Sequence, residues 1–120
     1  MKIQQSAENY LETILMLTEK NGSVRSIDIA NELGYSKPSV SVAMKNLREN
    51  GYIDVMGDGG ITLLPPGREI AEKLYNRHTI LTEYLKRLGV SEMTATEDAC
   101  KIEHIISDES FEAIKASLTK

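Results

Sequence analysis

The sequence predicts a mainly α protein with one small β-hairpin, and three features predict it. Apolar residues recur at helical spacing along most of the chain, from Ala7, Tyr10, Leu11, Ile14 and Leu15 to Phe111, Ile114 and Leu118. One stretch breaks that period: Tyr52-Ile53-Asp54-Val55-Met56 and Ile61-Thr62-Leu63-Leu64 read as short strands around Gly57-Asp58-Gly59-Gly60. Helix stops punctuate the rest at Asn21-Gly22, Gly34, Gly51 and Gly89.

The first helix is expected over residues 3–20. Ser26 is placed as the cap of a second helix, which stops at Gly34. Ser36 is placed as the cap of a third, over residues 37–50, with Pro38 tolerated in its first turn. Its stripe of Val40, Ala43, Met44 and Leu47 faces the core. Three helices and a hairpin, closed by Pro65-Pro66-Gly67, make the order of a winged helix-turn-helix over residues 1–66. Residues 67–120 form a second, helical domain. Its fourth helix runs over about residues 67–88 on Ala71, Leu74, Leu81, Leu85 and Leu88. A Thr94-Ala95-Thr96-Glu97 capping box opens the fifth, through about Ile106, and Ser107 or Asp108 caps the last.

Composition narrows the class. With 41% hydrophobic and 27% charged residues, the 120-residue chain reads as a soluble globular protein. No run approaches the ~20 apolar residues that span a bilayer, and MKIQQSAENY lacks the pattern of a secretory signal. No membrane role is expected. A single cysteine, Cys100, excludes an intrachain disulfide, which makes a reducing cytoplasm the expected home. The net charge of −4 is unhelpful for binding phosphate, but its distribution is uneven. Residues 37–51 carry Lys37, Lys45 and Arg48 against Glu49, whereas residues 78–120 carry five basic side chains against eight acidic ones.

That basic segment coincides with the expected reading helix. A helix-turn-helix inserts the N-terminal part of its second helix into the major groove of double-stranded DNA. Ser36, Lys37, Pro38, Ser39, Ser41 and Val42 then face the duplex. Arg25, Lys45 and Arg48 add contacts that release counterions from phosphate. Hydroxyls at a helix N-terminus suit phosphate, and Pro38 and Val42 offer apolar surface to thymine methyl groups. The wing tip carries Asp58 and no basic residue, so it reads as a turn rather than a phosphate clamp.

A second constellation carries different chemistry. Cys100, Glu103 and His104 stand at i, i+3 and i+4 of the expected fifth helix, on one side and away from Ala99, Ile102, Ile105 and Ile106. Thiolate, carboxylate and imidazole are donors favoured by divalent transition metals. Taken singly, each has a plainer role: a buried thiol, a solvated glutamate, a core histidine. Three donors leave a cation short, so another segment must contribute, with His78, Glu8, Asn9 and Glu12 as candidates.

The chain resembles the diphtheria toxin repressor and manganese transport regulator family of metal-dependent repressors. The likeness rests on AENYLETILML, the S-K-P-S-V-S start of helix three, L-x-P-x-G-R-E-I-A, N-R-H and D-A-C-K-I-E-H-I-I-S-D-E. It implies a repressor that binds a palindromic operator as a homodimer when loaded with Fe²⁺ or Mn²⁺. It implies Cys100, Glu103, His104 and His78 as ligands, and Glu12 as a carboxylate ligand of the manganese type. Asn9 stands where that type has Asp and the iron type has Met; a neutral amide is the weaker donor. Thr82 and Thr96 replace the Glu and His of the iron type's second site. The chain ends without the SH3-like domain of many members, as the short manganese regulators do. Cys100 favours Fe²⁺ through its softness, and Glu12 favours Mn²⁺. Competing readings are a metal-independent regulator, a metal-transfer module and, least supported, an enzyme using Cys100 as nucleophile.

Overall fold

The computed structural model describes residues 5–119, so Ile3 and Gln4, assigned to the first helix from sequence, lie outside the described residues. The chain divides into two compact units between Glu72 and Lys73.

The first unit is built on α1 (Gln5–Asn21), α2 (Ser26–Leu33), α3 (Lys37–Glu49) and a hairpin of β1 (Ile53–Val55) and β2 (Ile61–Leu63). It also includes the first turns of α4 (Pro65–Arg87). Leu11 and Ile14 of α1, Ile29 of α2, Val40 of α3 and Ala71 of α4 are wholly buried in one core. Burying each of the larger aliphatic side chains stabilises the unit by roughly 1.5–3 kcal/mol. Tyr10 meets Tyr35 edge to face, with ring centroids 6.0 Å apart. Burial pushes the Tyr10 phenol above its ordinary pKa, and the charge of Tyr35 adds to the rise.

The strands pair antiparallel in the register Ile53↔Leu63, Asp54↔Thr62 and Val55↔Ile61. Ile53 and Ile61 turn inward, and Asp54 and Thr62 turn outward. At the tip, Asp58 accepts the Gly60 N–H at 2.9 Å, an Asx turn that uses the carboxylate internally.

Two boundaries here correct the sequence reading. The cap of α2 is Arg25 rather than Ser26: the Asp28 carboxylate accepts the Arg25 N–H at 2.9 Å, which draws the start of the helix back by one residue. Helix α4 opens at Pro65 rather than at about Gly67, because first-turn N–H groups have no helical partner to lose and both prolines are tolerated there. Gly67 follows them for want of space. A Cβ there would lie 2.2 Å from the Tyr52 carbonyl oxygen and 3.3 Å from Leu11 Cδ2.

The second unit comprises the rest of α4 with α5 (Glu92–Ile102) and α6 (Asp108–Leu118). Leu81, Ala99 and Phe111 form its centre, joined by Ile80, Ile102, Ile106 and Ile114. Ser91, not Thr94, caps α5 by accepting the Thr94 N–H, and Glu92 complements the dipole in the first turn. The helix ends at Ile102, four residues before the expected Ile106, and residues 103–105 form a turn. Ile106 reaches the core from beyond that turn, while Ile105 is 76% exposed. Leu88, assigned to the buried stripe of helix four, is also exposed. Ser107 caps α6 by accepting the Ser110 N–H at 3.1 Å. No helix among the described residues is long and apolar enough to cross a membrane.

Candidate DNA-reading face and metal centre

Helices α2 and α3 pack together across a turn in which Gly34 takes a left-handed φ of +70°. Its N–H and that of Tyr35 both donate to the Ala30 carbonyl, closing α2 and releasing the chain into α3. Ser36 caps α3: its Oγ accepts the Ser39 N–H at 3.3 Å and donates to Ser39 Oγ at 2.8 Å. Val40, Met44 and Leu47 take the buried side of α3. Every residue assigned to the DNA-reading set is exposed: Arg25, Ser36, Lys37, Pro38, Ser39, Ser41, Val42, Lys45 and Arg48.

Lys37, Ser41, Lys45 and Arg48 recur at i, i+4, i+8 and i+11, so one helical ridge presents them together. Two shallow depressions flank it. Ser26, Ile27, Lys37 and Ser41 line one, and Ser26, Ser41, Met44, Lys45, Arg48 and Val55 line the other. Ser26 belongs to both, and sequence reasoning missed it. Placing it as the α2 cap assigned its hydroxyl to the helix, whereas Asp28 at the first turn was the available signal for a cap at Arg25.

The second site is built around a buried carboxylate. Glu103 caps the C-terminus of α5, and its side chain is 0% exposed. His78 Nδ1, from α4, lies 3.2 Å from Glu103 Oε2, and His104 Nε2 lies 3.6 Å from Oε1. Taking an isolated carboxylate out of water costs several kcal/mol unless positive charge or hydrogen bonds compensate it. An imidazole protonated on the facing nitrogen can donate to the carboxylate. Deprotonated, it directs a lone pair to the same place. Adjacent ligands of a cation with ~2.1 Å bonds stand about 3–3.4 Å apart, so each imidazole nitrogen lies at or near ligand spacing from the carboxylate oxygen it faces.

In this unit the end of α5 and the turn after it bring Glu103 and His104 close to His78 of α4, with an imidazole nitrogen facing each carboxylate oxygen. Cys100 is exposed on the last turns of α5. Thr96 is also exposed, and the Thr82 hydroxyl is buried one turn beyond His78. In the first unit, Glu12 is buried on α1, Glu8 and Asn9 are half-buried, and the Asn9 carbonyl accepts the Thr13 hydroxyl at 2.8 Å.

Comparison with known proteins places these two sites in a common frame. Residues 2–61 match the iron dependent repressor N-terminal DNA binding domain, and residues 65–120 match the iron dependent repressor metal binding and dimerisation domain. An HTH-type transcriptional regulator of Methanocaldococcus jannaschii is 37% identical over 98% of this chain and 96% of its own length. The transcriptional regulator MntR of Salmonella typhimurium is 36% identical over 91% of this chain and 69% of its own length. Among solved structures, a manganese-dependent transcriptional repressor in complex with manganese superposes with a TM-score of 0.84 at 29% identity, covering 94% of this chain and 52% of that one. The chain spans about half the length of most of the solved structures it matches. With both halves matched in order, the chain belongs to the iron-dependent repressor family, a family of metal-dependent transcriptional regulators and not of enzymes.

Proposed function

We propose that this protein is a metal-activated transcriptional repressor that binds a palindromic operator as a homodimer in the cytoplasm. The observation that carries the metal dependence is the buried Glu103 carboxylate with an imidazole at each oxygen. A carboxylate and two imidazoles are donors that divalent transition metals favour, and a divalent cation is the largest local charge such a site can take up. His78, Glu103 and His104 would hold the ion. Glu12 joins them as a further ligand by carry-over from the manganese-type members, supported by its burial. Cys100 and Asn9 are retained as candidate ligands on the same resemblance.

The donor chemistry bears on which metal activates. Preference for Fe²⁺ rested on a thiolate beside Glu103, and Cys100 is exposed. Nitrogen and carboxylate donors suit Mn²⁺ equally, and a relative of known structure is manganese-dependent. Mn²⁺ is therefore proposed first and Fe²⁺ second. Zn²⁺ and Cu²⁺ bind such sites more tightly in a tube whatever the cell uses.

On the DNA side, α3 enters the major groove by its N-terminus, with Lys37, Lys45 and Arg48 on phosphate and Val42 toward base methyl groups. Arg25 and Ser26 flank the same surface. Metal and DNA affinity are reciprocally linked if metal favours the DNA-competent state, with ~1–3 kcal/mol of coupling ordinary for such switches. The test is fluorescence anisotropy on duplexes from the promoter of the protein's own gene, at fixed salt, with Mn²⁺, Fe²⁺ or chelator. Tight binding only with metal is expected. Equal affinity with chelator sinks the proposal.

A further inference from the structure

Arg77 is the only arginine or lysine buried among the described residues, and the metal ligands do not account for it. Its guanidinium forks into the turn between α5 and α6. Nη1 donates to the main-chain carbonyls of Glu103 at 3.2 Å and Ile106 at 2.9 Å. Nη2 donates to the Asp108 carboxylate, which Lys73 also approaches at 3.6 Å. The guanidinium carbon lies 5.3 Å from the centre of the Phe111 ring, within cation–π reach.

The neighbouring residue makes this arrangement informative. Arg77 and His78 are consecutive on α4, so one helix meets Glu103 twice: Arg77 donates to its main-chain carbonyl, and His78 Nδ1 lies 3.2 Å from its carboxylate. A buried cation is a poor device for stability alone, since an apolar side chain of similar volume packs as well without desolvation. What a guanidinium supplies is direction: planar donors at fixed angles reach two carbonyls and a carboxylate together. Those carbonyls flank His104 and Ile105 in the turn after α5, where the Glu103 N–H donates to the Ala99 carbonyl and the Ile105 and Ile106 N–H groups share the Ile102 carbonyl, so the guanidinium ties the far side of that turn to α4.

We infer that Arg77 is a positioning residue: through the Glu103–Ile106 turn and Asp108 it sets the geometry, and so the affinity, with which Glu103 and His104 take a divalent metal. The inference rests on the metal-centre reading above. Groups that orient metal ligands typically contribute 10–100-fold to metal affinity. Lysine at position 77 keeps the charge but cannot form the fork.

The test uses the full chain, with Mn²⁺ titration for affinity, Co²⁺ absorption for ligand geometry and thermal melting for the fold. Arg77→Lys is expected to weaken Mn²⁺ binding by about 10–100-fold and to shift the visible Co²⁺ bands. Asp108→Asn keeps an acceptor for the fork but not its charge, and should move both readouts the same way by a smaller factor while the variant still melts as a folded protein. In a Glu103→Gln background, Arg77→Lys should cost less metal affinity than it does in the parent protein, because part of its effect passes through that ligand. Parental affinity and Co²⁺ spectrum in both single variants overturn the inference, as do additive losses in the double variant. Parental affinity in Glu103→Gln alone overturns the metal-centre reading itself, and this inference with it.

Discussion

The outer face of α3 and the surroundings of Glu103 both concentrate charge, yet they are built in opposite ways. On α3 the charged and hydroxyl groups are exposed, and each is aimed by its own helical turn. Around Glu103 the charge is buried and held by side chains from α4 and from the turn after α5. Water screens the first set, so its members act nearly independently and respond to salt. The second set is desolvated and interlocked, so loss of one member strands the others. On the function proposed above, the division suits a regulator: a tolerant surface would meet the long polyanion, and an intolerant centre would decide whether the protein is active.

The sharpest way to break this contrast is Glu103→Gln. It keeps the volume and removes the charge, and Mn²⁺ affinity should fall by roughly a hundredfold or more, beyond what ligand-orienting groups contribute. Metal-dependent operator binding should disappear with it. Isothermal titration and anisotropy check both; retained metal affinity would mean that the carboxylate is held for structure.

Gly67→Ala probes the interlocked character of packing elsewhere. The new methyl meets a carbonyl oxygen at 2.2 Å, so α4 or the β1 end must shift, at a cost of about 1–3 kcal/mol by analogy with overpacked cores. Chemical denaturation would read it, and a neutral result would show that the first turn of α4 yields easily.

On α3, Lys45→Ala and Arg48→Ala should each weaken all DNA sequences alike and lower the salt dependence of binding by about one counterion. Their effects should add, and metal affinity should stay parental. Coupling between them would contradict the picture of independent contacts. The smallest expected effect is Ser36→Ala, about 1 kcal/mol in stability from the lost cap. A thermal melt measures it, and no loss would mean that Ser39 or water replaces the bond.

Legibility in the sequence followed the same division. The order of helices, the hairpin and the caps at Ser36 and Ser107 were readable because each depends on residues a few positions apart. The exposure of the residues assigned to DNA reading was readable for the same reason: burial of Val40, Met44 and Leu47 leaves their neighbours outside. The candidate metal residues were legible as a list, whereas the end of α5 at Ile102 was not, so the single helix expected through about Ile106 gives way to a turn at Glu103. No local signal announced that ending, since Glu103-His104-Ile105 continues an acceptable helical pattern. Ser26 and the start of α5 were misplaced where two capping residues competed within a few positions.

From the amino-acid order alone came the helical class, the winged-helix plan and the pool of chemically competent side chains, because periodicity and capping act over a single turn. Three-dimensional packing decided which donors meet. His78 reaches Glu103 only because α4 and α5 share the core of Leu81, Ala99 and Phe111. Arg77 holds the turn only because that core brings distant carbonyls within reach of its fork. Distances across a core depend on how whole elements settle against one another, and residue spacing along a chain carries no record of them.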